Sequence, residues 1–397
     1  MNGNKKTVVM GVTGGIAVYK ALDVVSRLKK RNIDIHVIMT KSAVEFVAPL
    51  SFQTISQNMV STDMFCEPKA WEIQHISLAK RADLMLVVPA TANIIGKIAS
   101  GIADDLLSTT IMATRAPVVF APAMNTNMYV NPIVQENINK LSKLGYDFIK
   151  PQSGRLACGD IGEGKLADTA FIADAVESML YDKKDMRGKR VLVTAGPTLA
   201  NIDPVRYITN RSSGKMGYSI AEEARDRGAE VTLVSGPTNL PVPFGIKFIK
   251  VTTNNDMLEA VVNNFEFQDI VVKAAAVSDY KPKVYSTKKI KKSGDELSLD
   301  FVRDNDILKK LGEMKKNQIL VGFAAESNDL IENAGRKLEK KNLDYIVANN
   351  IVHDDTGFAS DDNKVVILSR DGRKLDLVKM SKRNLARRLF DIINDGN

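Results

Sequence analysis

The sequence predicts an α/β protein of two domains, each built on a mainly parallel sheet; its length, its apolar runs and a second start near its middle carry the prediction. At 397 residues the chain exceeds what one ordinary core serves, since domains usually hold about 100–200 residues. A content of 44% hydrophobic and 26% charged residues supplies apolar material for two cores and fits neither a disordered nor a fibrous chain. Short apolar runs alternate with helix-length amphipathic stretches, the pattern of strands buried on both faces beneath covering helices.

In the first half, Thr7 to Val12, Ile33 to Met39, Leu84 to Pro89 and Pro117 to Ala121 read as buried strands, with a helix across Ile16 to Arg31 and another opening at His75. The polar stretch Tyr181 to Gly188 reads as a linker, giving domains at 1–186 and 187–397. Beyond it, Arg190 to Thr194, Glu230 to Ser235, Lys247 to Val251, Asp269 to Ala275, Ile319 to Ala324 and Asp344 to Ala348 read as strands, with helices from Ser213, Asp256 and Asp329. Both halves are thus expected to be Rossmann-like.

The amino-terminal apolar run is too short to span a bilayer and lacks a small-residue cleavage site, so no membrane segment or export signal is expected. Only Cys66 and Cys158 occur, which makes neither a disulfide framework nor a four-ligand metal site and suits a reducing, cytoplasmic location. The net charge of +8 is uneven: residues 1–186 carry +2 and residues 187–397 carry +6. Part of that surplus is Lys281, Lys283, Lys288, Lys289, Lys291 and Lys292, a cluster that either stays solvated or meets a polyanion. Nucleic acid is not the expected partner, because only Tyr280 and Tyr285 stand nearby for stacking.

Val8 to Ile16 ends a strand in a glycine turn before a helix, where backbone N–H groups and the helix dipole favour phosphate. Its Gly11, Gly14 and Gly15 lack GxGxxG spacing, so it fits a tight strand–helix turn as well as a nucleotide site and disfavours an NAD-linked oxidoreductase. Val88-Pro-Ala-Thr-Ala-Asn93, Gly101 to Ser108 and Ala121 to Met128 all follow predicted strands, on the edge where open α/β sheets bind ligands. Small residues there admit a flat ring, and Thr, Asn and Ser offer neutral hydrogen bonds.

With His75-Ile-Ser-Leu, PATAN, DDLL, PAMN and the Cys158 segment Ser153 to Lys165, this half resembles the homo-oligomeric flavin-containing cysteine decarboxylases. The resemblance implies FMN held between subunits by Gly14, Gly15, Thr40, Pro89, Thr91, Asn93, Ser108 and Met124. It implies two-electron oxidation of the substrate to a thioaldehyde, which accepts the electron pair left by departing carbon dioxide; the cofactor carries that step. His75 would be the base or positioner, as imidazole titrates near neutrality, and Asn125 would bind the substrate carboxylate without charge repulsion. Cys158, in a glycine-rich flap, would return a proton when the enethiol is reduced. Tyr129 and Lys165 stand where the family often has Trp and Arg, which keeps an aromatic ring and a positive charge but loses a bidentate phosphate contact.

In the second half, Val193-Thr-Ala-Gly-Pro-Thr198 ends a strand in a small-residue turn, and Ser212-Ser-Gly-Lys-Met-Gly217 opens a helix with hydroxyls and N–H groups suited to an anion. The GxxxxGK[ST] spacing of a kinase-type loop is absent. Together with Arg206 to Asn210, KAAAVSDY, KKIKK and Gly322 to Glu326, these motifs resemble phosphopantothenoylcysteine synthetase, the ligase half of bifunctional decarboxylase–ligase proteins. The resemblance implies attack of 4'-phosphopantothenate on CTP, an acyl cytidylate, and displacement of CMP by cysteine to give phosphopantothenoylcysteine. Asn210, Arg206 and the Ala275 backbone would hold the acyl cytidylate, and Lys289 would assist cysteine. Asp279, Phe323, Lys337 and Lys341 would bind CTP together with Asp304, Asn305, Asp306 and Ile307, and Mg²⁺ would accompany the triphosphate, with Asp279 a candidate ligand. The implied assembly is a homo-oligomer with a trimer-based decarboxylase core, up to a dodecamer, and ligase dimers. The rivals are an unrelated flavoprotein of the same fold, such as a flavin prenyltransferase, and a basic nucleic-acid binder.

Overall fold

A computed structural model describes residues 5–65, 73–156, 159–291, 297–326, 330–350 and 362–395. Cys66 and Cys158, and Lys292 of the basic run, lie outside the described residues. The chain divides into two compact units, Met1–Tyr181 and Asp182–Asn397.

The first unit carries a sheet of five parallel strands, β1 (Thr7–Val12), β2 (Asp34–Met39), β3 (Leu84–Ala90), β4 (Val118–Pro122) and β5 (Asp147–Phe148), in the order β2-β1-β3-β4-β5. Every residue of β3 and β4 is buried, which is why these strands read as unbroken apolar runs. Helix Val18–Lys30 covers the sheet with Val18, Ala21, Val24, Val25 and Leu28, a 3.6-period stripe, and ends in Lys29 and Lys30, which complement its dipole. A hairpin of β6 (Gln152–Arg155) and β7 (Ile161–Lys165) follows, mostly exposed. The sequence reading missed it because its glycine-rich strands have no alternating apolar face.

In the second unit, β8 (Arg190–Ala195), β9 (Leu199–Asn201), β10 (Tyr207–Thr209), β11 (Glu230–Ser235), β12 (Lys247–Lys250), β13 (Ile270–Lys273), β14 (Tyr280–Pro282), β15 (Phe301–Arg303), β16 (Ile319–Glu326), β17 (Tyr345–Asn350), β18 (Asp362–Ser369) and β19 (Lys374–Ser381) succeed one another. The main sheet runs β12-β11-β8-β13-β16-β17-β18-β19, parallel as far as β17 and antiparallel at the last two strands. Short antiparallel pairs β9–β10 and β14–β15 stand beside it.

Each predicted strand is present, within about two residues at its ends, the usual uncertainty of a boundary. Of the stretch read as a linker, Tyr181 closes the first unit and the residues from Asp182 belong to the second. Met186 is fully buried in its core, and Lys184 donates to the Asp226 carbonyl at 2.7 Å. No helix of the described residues is long and apolar enough to cross a membrane.

Candidate functional site

Parallel strands aim their carboxyl ends at one edge, and both units place their motif loops there. In the first unit those loops enclose a cavity of about 720 Å³ whose wall includes Gly14, Thr40, Thr91 and Asn93. Gly14 is required by space: a Cβ there would stand 2.3 Å from the Ser42 Cβ and 2.7 Å from its backbone carbon. Thr13, which the sequence reading passed over, is almost fully buried and donates to the Pro89 carbonyl at 2.7 Å while its oxygen accepts the Thr91 N–H at 3.1 Å. It therefore locks the β1 turn to the PATAN turn. Lys97 and the aspartates of DDLL also line the cavity, with Lys97 Nζ 2.6 Å from Asp104 and 2.9 Å from Asp105.

Gly15, Pro89, Ser108, Met124, His75 and Asn125 are not in that wall. Ser108 is fully buried and belongs to a capping box: its N–H donates to Asp105 at 2.8 Å and its Oγ accepts the Asp105 N–H at 3.1 Å, so its side chain orders helix Leu106–Ala113. Pro89 follows a cis peptide bond and is buried. His75 is half-buried in the first turn of helix Gln74–Arg81. The β6–β7 hairpin reaches the PAMN loop: the Met124 N–H donates to the Gly164 carbonyl at 3.0 Å, and Asn125 Nδ2 to Asp160 at 2.8 Å.

The second unit holds a cavity of about 350 Å³ lined by Asn210, Ala275, Asp279, Asn305, Asp306, Phe323, Lys337 and Lys341, eight residues that the resemblance nominated. The SSGKMG turn forms another wall, from Ser212 to Gly217. Gly214 caps helix Lys215–Asp226 at φ +80°, and a Cβ would meet Thr238 at 2.7 Å, so glycine is needed twice over.

Polar side chains fix the loop after β13 from several sides. Thr194 Oγ1 accepts the Ala275 N–H and Thr198 Oγ1 the Ser278 N–H, each at 3.2 Å. Asn210 Nδ2 donates to the carbonyls of Ala276 (2.9 Å) and Val277 (3.1 Å). Asn254 Nδ2, nearly buried, donates to the carbonyls of Ser278 (3.2 Å) and Asn305 (3.0 Å), which joins two loops of the cavity.

Lysines give this cavity a positive face. Lys341 pairs with Asp306 at 2.9 Å, and Lys273, at the end of β13, lies in the wall. Burial and the neighbouring Lys341 push the Lys273 ammonium down to about 8, against the pull of Asp279 and Asp306. Its sequence signal was a lysine closing an otherwise apolar strand. Arg206, Lys289, Asp304 and Ile307 are not in the wall. Ile307 is fully buried in the core, so only its backbone is available to a ligand, and Asp304 pairs with Lys281 at 3.0 Å. Among the described residues no cluster of three metal-ligating side chains exists.

Comparison with known proteins assigns each unit to a family. Residues 1–181 match the Flavoprotein family and residues 186–396 the C-terminal domain of the DNA/pantothenate metabolism flavoproteins. The chain is 48% identical over 395 residues to the coenzyme A biosynthesis bifunctional protein CoaBC of Bacillus subtilis (strain 168), covering 99% of this chain and 97% of that one. Proteins of the same name from Vibrio vulnificus (strain CMCP6) and Escherichia coli (strain K12) are 43% and 42% identical, each covering 93% of this chain and 92% of its own. The chain therefore belongs to the bifunctional coenzyme A biosynthesis family, enzymes that join an FMN-dependent decarboxylase to a phosphopantothenate–cysteine ligase.

Proposed function

We propose that the first unit is the phosphopantothenoylcysteine decarboxylase and the second the CTP-dependent phosphopantothenate–cysteine ligase, acting in reverse chain order on one substrate. The observation that carries the ligase reading is the convergence of eight nominated residues on one cationic cavity beside an SSGKMG helix start.

In the ligase, the carboxylate of 4'-phosphopantothenate attacks the α-phosphorus of CTP and pyrophosphate leaves. The SSGKMG N–H groups, Lys273, Lys337 and Lys341 offset charge on the phosphates. Cysteine nitrogen then forms the amide bond, the acyl C–O bond breaks, CMP leaves with the electron pair and the ammonium proton passes to solvent. Lys289 assists this second step, and Asn210 and Arg206 support the acyl cytidylate site. A Mg²⁺ ion arriving on CTP would draw most of its ligands from phosphate and water, with Asp279 the protein carboxylate nearest in kind.

In the decarboxylase, the Gly14 turn, Thr40, Thr91 and Asn93 would hold FMN, the missing Cβ of Gly14 letting that turn pack directly against Ser42 at the cavity wall. When bound, FMN would supply a reversible two-electron carrier, taking electrons so that a thiocarbonyl stands next to the departing carboxylate and returning them to the enethiol after carbon dioxide leaves. Asn125 binds that carboxylate, His75 positions the thiol, and Cys158 donates the proton that completes the product. Exposed apolar side chains on this unit, among them Ile16, Tyr19, Phe46, Leu50 and Ile133, support a homo-oligomeric assembly with flavin between subunits. The cytoplasm, where cysteine stays reduced, is the fitting compartment.

The test is mass spectrometry of the purified protein incubated with 4'-phosphopantothenate, cysteine, CTP and Mg²⁺, with ATP replacing CTP in parallel. Phosphopantetheine and CMP formed together support both halves. Phosphopantothenoylcysteine that keeps its carboxylate would leave only the ligase standing, and no product at all would sink the ligase first.

A further inference from the structure

Asp203 begins the Asp-Pro-Val-Arg turn, and its carboxylate is fully buried although Val205 beside it is 60% exposed. One oxygen accepts the N–H groups of Val205 and Arg206, both at 2.8 Å. The other accepts Arg206 Nε at 2.9 Å, Arg206 Nη2 at 2.6 Å and the backbone N–H of Ile290 at 3.2 Å. Arg206 Nη2 also donates to the Ile290 carbonyl at 2.7 Å. Both backbone groups of Ile290 are thus bound by one ion pair more than 80 residues earlier in the chain. A backbone bond from the Ser286 N–H to the Ile202 carbonyl at 3.1 Å ties the same loop to the same turn.

Burial alone would raise the Asp203 carboxyl, but the Arg206 guanidinium and the N–H groups outweigh it and hold the group well below the usual carboxylate range. A buried carboxylate is costly unless its lone pairs are filled, and here the filling groups include the middle residue of the KKIKK run. A merely solvated basic loop has no use for such an anchor. Lys288, Lys289 and Lys291 are exposed, whereas Ile290 between them is half-buried and fastened by its backbone. The ion pair therefore fixes where the lysines start while leaving their side chains able to reach a ligand.

We propose that Asp203 is a positioning residue of the ligase: with Arg206 it clamps the backbone of Ile290 and so sets Lys289 for the attack of cysteine on the acyl cytidylate. This rests on the ligase reading above and on the role given there to Lys289. It also recasts Arg206, two of whose nitrogens are engaged within the protein, as part of the clamp.

The experiment is rapid-quench analysis of the full-length protein with CTP labelled at its α-phosphate, comparing wild type with Asp203→Asn, Lys289→Gln and the double variant. Asn keeps the size of Asp and an acceptor for the turn N–H groups but loses the charge that holds Arg206. The expected result is pyrophosphate release and acyl cytidylate accumulation in Asp203→Asn, with cysteine-dependent CMP release slowed about 100-fold, the scale of a 1 Å misplacement. The double variant should be no slower than Lys289→Gln alone, since both changes strike one step. Ile290→Pro removes the N–H donor from the clamp and restrains the backbone of Lys289, while Ile290→Ala keeps the N–H and removes only the side chain; the first should give the same split and the second should not, so the proposal remains testable if Asp203→Asn does not fold. Equal slowing of both half-reactions, or additive losses in the double variant, would overturn it. Absence of CMP from the wild type would instead sink the ligase reading itself.

Discussion

The side-chain amide of Asn125 donates to a carboxylate oxygen of Asp160 at 2.8 Å. Asn125 also caps helix Thr126–Tyr129, its oxygen accepting the Asn127 N–H at 2.8 Å, so its orientation is set on both sides. Asp160 lies just before β7 in the glycine-rich hairpin, two positions from Cys158. The group nominated to bind the substrate carboxylate thus already holds a carboxylate in the structure. Asn125→Asp would set two anions against each other there and repel the substrate as well. Decarboxylation should fall by about 100-fold or more, the scale of losing one oriented donor, while ligation continues and phosphopantothenoylcysteine accumulates. Carbon dioxide release within about threefold of wild type would refute the assignment, that being well short of one lost donor.

Lys273 predicts a pH dependence. Its ammonium titrates near 8, so it is charged below that pH and neutral above, and its attraction for a triphosphate fades as pH rises through about 8. kcat/KM for CTP, which reports the free enzyme, should therefore fall across that range. The stability term has its own sign: unfolded Lys binds its proton up to its ordinary value of about 10.4, so this residue makes stability rise with pH between about 8 and that value. In Lys273→Gln the break in kcat/KM near 8 should vanish; its persistence would assign the titration to another group.

Legibility in the sequence followed the physics of each element. β3 and β4 were readable because burial on both faces demands unbroken apolar runs. β18 alternates buried with partly exposed residues, yet it follows a polar stretch and pairs as an antiparallel addition to a parallel sheet, so periodicity alone did not single it out. In the second unit, Asn210, Asp279 and Lys337 were nominated by the family resemblance and do line one cavity. Asp203 and Asn254 escaped because their work is to bind backbone groups distant in sequence, Ile290 and Asn305, and a donor–acceptor pairing with backbone carries no residue-type signal in the partner. Lys273 escaped because its position looks like the polar end of a strand until the fold surrounds it with charges.

Gly14 predicts flavin content. Alanine there would press on the Ser42 backbone, which is 2.7 Å from the added carbon, and the turn must shift. Overpacking of this kind costs about 1–3 kcal/mol, and the strain falls where the cofactor phosphate or ring is expected. Gly14→Ala should purify with a lower ratio of visible flavin absorbance to protein absorbance, while ligase turnover stays at the wild-type rate. Full flavin content would show that the turn lies outside the cofactor site.

Arg227 predicts where the ligase unit is most vulnerable. Its side chain is fully buried and pairs with the equally buried Glu223 at 2.8 Å, with Asp185 at 3.2 Å and with Asp391. The network joins the stretch once read as linker to helix Lys215–Asp226 and to helix Lys382–Asp395. Arg227→Met keeps much of the volume but removes the cation these carboxylates share, leaving Glu223 in the core with Arg383 at 3.3 Å and Asp185 and Asp391 with Lys183. Removing one partner of a buried pair costs about 3–5 kcal/mol. In a unit of this size each kcal/mol lowers Tm by about 2–4 °C, so scanning calorimetry should show the ligase transition about 10 °C lower. Arg227→Met with Glu223→Leu should recover part of that loss, because replacing both members of a buried pair by apolar groups removes the stranded charge. A single-variant shift below about 2 °C would mean that the cluster stays hydrated and contributes no more than a surface pair.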